Sequence, residues 1–302
     1  MSEDRPILTP RPLAPGDRVA IVSPAGIIKP QVVYNSLPVL ADCGWVPYVG
    51  VNTFNRYGTF AGTADERYYD LENALLDPDT RAIICSRGGY GAVHLLDRCK
   101  PERPVWLAGF SDISALHALW HRSGYCSIHS SMAKELTHCL CSDNEANSRL
   151  FEILRTGRMP AIEFGPHALN RCGHARGTLL GGNLAVLDGL VGTPFNLLIP
   201  GSILVIEDIG EAIYKVERML MRLRLAGILQ QLGGLVVGRF TDYRPSNDWA
   251  DMYPMIAGVL ADLPFPVAFN APIGHIDDNL PFIEGTTVEL CVTPEGSKIT
   301  EI

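Results

Sequence analysis

The chain of 302 residues has no apolar run approaching the roughly 20 residues that cross a bilayer. Its start, MSEDRPILTPRPLAPGDRVAIVSPAG, puts acidic residues and prolines where a secretory leader has a basic end and a continuous apolar stretch. Both absences point to the cytoplasm. A basic run is missing as well: 25 Lys and Arg against 33 Asp and Glu give a formal net charge of −8. That balance argues against nucleic acid or an anionic membrane surface as the main partner. None of the eight cysteines falls in a CxxC pair. Cys139 and Cys141 form a CxC, too few ligands for zinc, so the cysteines are expected as free thiols. No GxGxxG or P-loop occurs, and no internal repeat or low-complexity segment.

What is present suits large packed cores, because 47% of the residues are hydrophobic and 19% charged. The first half alternates apolar strands, Gly-rich turns and helical patterns. Strand-like runs fall at 18–26, 46–51, 81–86, 104–109 and 125–129, and helical patterns at 31–45, 63–78 and 113–122. This is the grammar of a parallel sheet with helical crossovers, whose ligands bind beyond the carboxyl ends of the strands. The turns at 23–26, 86–91 and 109–112 should gather on one rim. A helix at 144–157 leads into a stretch rich in Pro, Gly and polar residues. We therefore expect an N-terminal domain at 1–155, a linker at 156–174 and a C-terminal domain at 175–302. The second half holds strands near 175–181, 202–208, 233–240, 266–274, 286–292 and 297–302, the last two as a closing hairpin.

Several turns carry residues suited to chemistry. LAGFSDISALHALW (107–120) runs from strand to helix through Ser111 and Asp112. Backbone N–H groups at such a turn hold an anion, including the oxyanion of acyl transfer. The second Gly of a GxSxG elbow is missing, so Ser111 is either a nucleophile or, with Asp112, a helix cap. CSRGGYGAV (85–93) is another strand-to-helix turn, and its glycines allow close backbone approach. There Arg87 faces either a substrate carboxylate or solvent. Asp208 at the end of VIED suits a cap, whereas Glu207 needs another reason to be there. His275 follows Gly274 in a polar loop, where a lone His is either solvated or catalytic. His117, His121 and His129 have partial metal-ligand spacing, but no carboxylate completes a set, so no metal is assigned.

Taken together, RGGYGA (87–92), GFSDIS (109–114), GGNLAVL (181–187), IEDIGEAIYKVERML (206–220) and GHIDDN (274–279) resemble the LD-carboxypeptidases. These are serine peptidases that recycle cell-wall muropeptides. The resemblance covers nearly the whole chain, with the motifs in the family's order. It implies an α/β fold: an N-terminal doubly wound, flavodoxin- or Rossmann-like parallel sheet, and a C-terminal α/β domain with a β-barrel-like sheet. It implies Ser111 as nucleophile, His275 as base and Glu207 as its orienting carboxylate. Backbone amides of Gly88, Gly89 and Asp112 would hold the oxyanion, and Arg87, Tyr90 and His129 would contact substrate. The site would lie at the domain junction, no cofactor is needed, and a homodimer is expected. One departure stands out: the family's His-Gly-Pro-Met is here His129-Ser130-Ser131-Met132.

The implied reaction removes D-Ala from the L-centre of meso-diaminopimelate in a murein tetrapeptide. One alternative is a microcin-immunity relative that cleaves peptidyl nucleotides. Such relatives carry a longer insertion between the Ser and Glu motifs, and the compact separation here favours the cell-wall enzyme. A third reading, from another class, is a non-catalytic α/β module whose turns only hold a carboxylate ligand.

Overall fold

The computed structural model describes residues 7–136 and 144–302. The CxC at Cys139 and Cys141 lies outside the described residues. Two compact units divide the chain: Met1–Met159 with Leu280–Gly285, and Pro160–Asn279 with Thr286–Ile302. The first runs through β1 (Arg18–Val22), α1 (Pro30–Asp42), β2 (Val46–Val49), α2 (Ala64–Leu76), β3 (Thr80–Cys85), β4 (Trp106–Gly109), α3 (Ser114–Arg122), β5 (Ser127–His129) and α4 (Glu145–Thr156). The second runs through β6 (Ile162–Phe164), β7 (Gly173–Asn183), α5 (Leu184–Leu190), β8 (Ile203–Ile209), α6 (Ile213–Leu225), β9 (Gly234–Thr241), α7 (Met252–Val259) and β10 (Val267–Phe269). The chain then returns to the first unit as β11 (Phe282–Glu284) and ends in the second as β12 (Thr287–Thr293) and β13 (Gly296–Glu301).

The first sheet has the order β11-β5-β4-β3-β1-β2. Its strands pair in parallel except β11, which is antiparallel to β5. Read from β2, the order 2-1-3-4-5 is a doubly wound sheet that reverses between β1 and β3, where ligands bind in such folds. The central strands are largely apolar, as strands buried on both faces must be: Ile21, Ile83, Ile84 and Leu107 are fully buried. α2 starts where Thr63 accepts from the Glu66 amide and Glu66 reaches back to the Thr63 amide, a reciprocal cap. Beyond β3 the expected helix is only a 3₁₀ turn at Ala92–Leu95.

The second sheet has the order β10-β9-β8-β7-β12-β13-β6. β7 through β10 pair in parallel, and β12, β13 and β6 antiparallel. Arg171 and Val267 exchange two backbone hydrogen bonds of 2.9 and 3.1 Å, which ties β10 to the chain entering β7. The sheet curls in this way, but no closed barrel is present among the described residues. Within 156–174, Ile162–Phe164 is strand rather than irregular chain, held by its pairing with β13. Among the described residues, no helix is long and apolar enough to cross a membrane.

Candidate active site

In the first unit, three turns at the carboxyl ends of β1, β3 and β4 meet. The Ser23 and Ser86 hydroxyls, buried at the ends of β1 and β3, lie 2.6 Å apart. The Gly26 amide donates to the Gly88 carbonyl at 3.1 Å. A methyl group on Gly88 would lie 2.8 Å from Ser111 Cβ, 3.0 Å from its Oγ and 3.4 Å from the Asp112 nitrogen. Only glycine brings the backbone this close to the Ser111 turn. Gly89, with φ of +115°, packs on Gly26, so a side chain there would be strained by its backbone and tight against Gly26. The amides of Gly88, Gly89 and Asp112 donate to no acceptor among the described residues.

Ser111 has φ of +67°, the left-handed region that non-glycine residues rarely occupy. It opens the 3₁₀ turn Ser111–Ile113 that precedes α3, and neither helix is capped by a side chain. The capping alternative for Ser111 is therefore not what the structure adopts. Asp112 does not cap its own helix either: its carboxylate accepts from the Ala92 amide at 2.8 Å, across the rim. Burial pushes the Asp112 pKa up, and the Ala92 amide, Arg67 and His94 pull it back.

Arg67 and His117 also shape this rim. Arg67, 2% exposed, donates from Nη1 to the carbonyls of Pro24 and Gly91, each at 2.7 Å. Its guanidinium thus ties the β1 turn to the RGGYG turn. Nothing in its local sequence marks it as a site residue beyond a charge in the helical register of Leu71, Ala74 and Leu75, the buried face of α2. His117 is fully buried, with Nδ1 2.8 Å from Ser127 Oγ and Nε2 2.9 Å from the Gly109 carbonyl. Burial lowers its pKa to about 4, so the ring is neutral. With both nitrogens engaged, His117 serves the fold rather than a metal. The Gly109 carbonyl also accepts the Ser130 amide at 3.0 Å, so the divergent His-Ser-Ser-Met stretch anchors the end of β4, two residues before Ser111.

The expected substrate contacts separate. Arg87 and exposed Tyr90 stay on the Gly-rich turn, with the Tyr90 ring packed on Phe60. His129 is fully buried, its ring stacked 4.7 Å from Phe282. Enclosed in the sheet, it offers a ligand no surface. Cys85 and Cys99 are buried thiols, and burial pushes Cys99 up to about 12.

In the second unit, Glu207 sits on β8 and is fully buried. Its Oε2 lies 2.7 Å from His275 Nδ1. A carboxylate at this nitrogen favours a proton on Nδ1, an arrangement that leaves Nε2 to act as a base. The turn before His275 is fixed: the Gly274 amide donates to Asn279 Oδ1 at 2.8 Å. Gly274 has φ of +131°, and a methyl there would lie 3.1 Å from Glu207 Cβ. Glu207 therefore meets an imidazole and not solvent, which answers why an acid stands there. Its neighbour Asp208 accepts from the Ala185 amide at 2.9 Å at the start of α5 and from Asn183 Nδ2 at 2.9 Å, a structural role. Burial, then the Glu207 charge, raises Asp208 to about 6.

The family model for the LD-carboxypeptidase N-terminal domain matches residues 19–130, and that for the LD-carboxypeptidase C-terminal domain matches residues 176–290. The murein tetrapeptide carboxypeptidase of Pseudomonas aeruginosa is 36% identical over 294 residues, covering 93% of this chain and 94% of that one. The crystal structure of muramoyltetrapeptide carboxypeptidase from Oxalobacter formigenes superposes with a TM-score of 0.81 at 26% identity, covering 93% of this chain and 97% of that one. The microcin C7 self-immunity protein of Escherichia coli is 23% identical over all of this chain and 98% of its own. With both halves matched in order, this chain belongs to the LD-carboxypeptidase family.

Proposed function

We propose that the protein is a serine LD-carboxypeptidase that releases terminal D-Ala from murein tetrapeptides. Ser111 is its nucleophile, His275 its base and Glu207 the carboxylate that orients the base. The observation that carries the reading is the 2.7 Å pair of His275 Nδ1 with the buried Glu207 carboxylate. It is supported by the left-handed backbone of Ser111 beside a turn that only Gly88 allows. Serine needs a base to become a nucleophile, and an imidazole held by a carboxylate supplies one.

In the proposed reaction Ser111 Oγ attacks the carbonyl of the diaminopimelate L-centre as His275 Nε2 takes its proton. The oxyanion is held by the Gly88, Gly89 and Asp112 amides. His275 then protonates the D-Ala amine as the peptide bond breaks. Water repeats the sequence, giving its proton to His275 and its oxygen to the acyl group, and Ser111 is restored. The nucleophile comes from the N-terminal domain and the Glu–His pair from the C-terminal one. The same reading takes the enzyme to be a cytoplasmic homodimer, on the family resemblance.

The test is mass spectrometry of purified tetrapeptide, and of a peptidyl nucleotide side by side, after incubation with wild type and Ser111→Ala. D-Ala loss with wild type only is expected. D-Ala release by Ser111→Ala removes the assigned nucleophile, and cleavage of the nucleotide alone moves the chain to the immunity-type reading.

A further inference from the structure

A cavity of about 560 Å³ opens in the first unit at the β1/β3 reversal of the sheet. Its volume is in the range of small-ligand pockets, and its place is where doubly wound sheets take ligands. Lys29, Arg56, Arg87 and Lys134 line it together with Ile28 and Phe54, and no Asp or Glu does. The formal charge of the whole chain is −8, so four cations with no acid among them are a local inversion. Lys134 pairs with Glu135 at 2.9 Å. Among the described residues, Lys29, Arg56 and Arg87 form no ion pair. Arg87 Nη1 donates to the Ile27 carbonyl at 3.2 Å, which aims the guanidinium along the wall, and its buried Nε has no partner.

The cavity is next to the proposed chemistry. Arg87 precedes Gly88, and Gly88 lies against Ser111. A group held by Arg87 is therefore one residue from the turn that would bind the oxyanion.

We infer that this cavity is a subsite for carboxylates on the part of the peptide the enzyme retains, upstream of the bond it cuts. This deepens the proposed function and rests on it. The leaving alanine offers one carboxylate and one methyl, too little to fill the volume or answer three uncompensated cations. The retained peptide carries the glutamyl α-carboxylate and the side-arm carboxylate of diaminopimelate, separated by methylenes that suit Ile28 and Phe54. Charged hydrogen bonds of this kind are each worth about ten- to hundredfold in affinity.

The experiment uses synthetic tetrapeptides with the glutamyl or the side-arm carboxylate free or amidated, assayed with wild type and with Lys29→Ala/Arg56→Ala. Both substituted residues are exposed, so folding should be unaffected. With wild type, amidating at least one carboxylate should raise KM about tenfold or more with kcat little changed. The double variant should show that rise on the unmodified peptide, and amidation should then cost it nothing further. Indifference of wild type to amidation overturns the subsite, as does an equal loss by the variant on every peptide. If no peptide releases D-Ala, the functional reading fails. Calorimetric binding to Ser111→Ala protein then decides the cavity: tighter binding of the free-carboxylate peptide upholds it, and equal or absent binding overturns it.

Discussion

Adding one methyl group at position 88 tests the geometry of the rim. Gly88→Ala would set its Cβ 2.8 Å from Ser111 Cβ and 3.0 Å from Oγ, both inside the first unit. Carbon atoms settle about 3.5–4.0 Å apart, so the two turns must separate by about 1 Å. Neither can yield cheaply. Gly88 is pinned by its carbonyl on the Gly26 amide, and Ser111 by the Asp112 carboxylate on the Ala92 amide. Overpacking of this kind costs about 1–3 kcal/mol, which corresponds to about 3–9 °C in Tm for a unit of this size. A 1 Å misplacement of a reacting group costs about 10²-fold in rate, and the amide that moves is also an assigned oxyanion donor. The assay pairs calorimetric Tm with kcat for D-Ala release. Gly189→Ala is the control: Gly189 lies within α5 with nothing within 4 Å of a new methyl, so the same change should stabilise by about 0.5–1 kcal/mol and leave kcat alone. If Gly88→Ala retains wild-type Tm and kcat within threefold, the close approach of the two turns is refuted.

Glu207→Gln preserves shape but no longer enforces the Nδ1–H tautomer of His275. We expect kcat to fall about 10³–10⁴-fold, with a Tm close to wild type; a loss under tenfold would remove Glu207 from the machinery. Arg67→Met should lower the urea midpoint by the equivalent of about 2–4 kcal/mol, since it orphans the Pro24 and Gly91 carbonyls and leaves buried Asp112 without its cation. His117 titrates at about 4 in the fold against an ordinary 6.5. The contribution of His117 to stability is therefore full above pH 6.5 and is lost as the unfolded chain takes up a proton between pH 6.5 and 4, by at most about 3 kcal/mol. Urea titrations of wild type and His117→Gln across that window should converge in slope at neutral pH and diverge below it. Parallel curves throughout would contradict a neutral, buried ring.

Much of this protein was written in local sequence. Continuous apolar runs such as RVAIV and RAIIC form central strands in any order of assembly, because burial on both faces requires it. The glycines of RGGYG announced a close backbone approach without saying to what. The partner of Gly88 in that approach, Ser111, is twenty-three residues and a whole strand away, and only the β3–β4 pairing supplies it. Arg67 was invisible as a site residue because an arginine in a helix usually faces water. Here the helix register turns it inward, and the carbonyls it binds come from two other strands' ends. The histidines show the same division. His117, His121 and His129 shared a spacing, but the fold spends His117 on Gly109 and Ser127 and encloses His129 against Phe282, a residue that returns from far along the chain as β11. His275 had no local mark beyond a preceding glycine, and it acquires its meaning from Glu207 at 2.7 Å. The sequence alone determined the family, most of the strands and the identity of the candidate residues, since these follow from residue type and order; β6 and β11 are strands only through their pairing with β13 and β5. The tertiary structure decided which of them are enclosed, which are paired and which backbone is strained, because burial and hydrogen bonding are set by neighbours that the order of residues does not name.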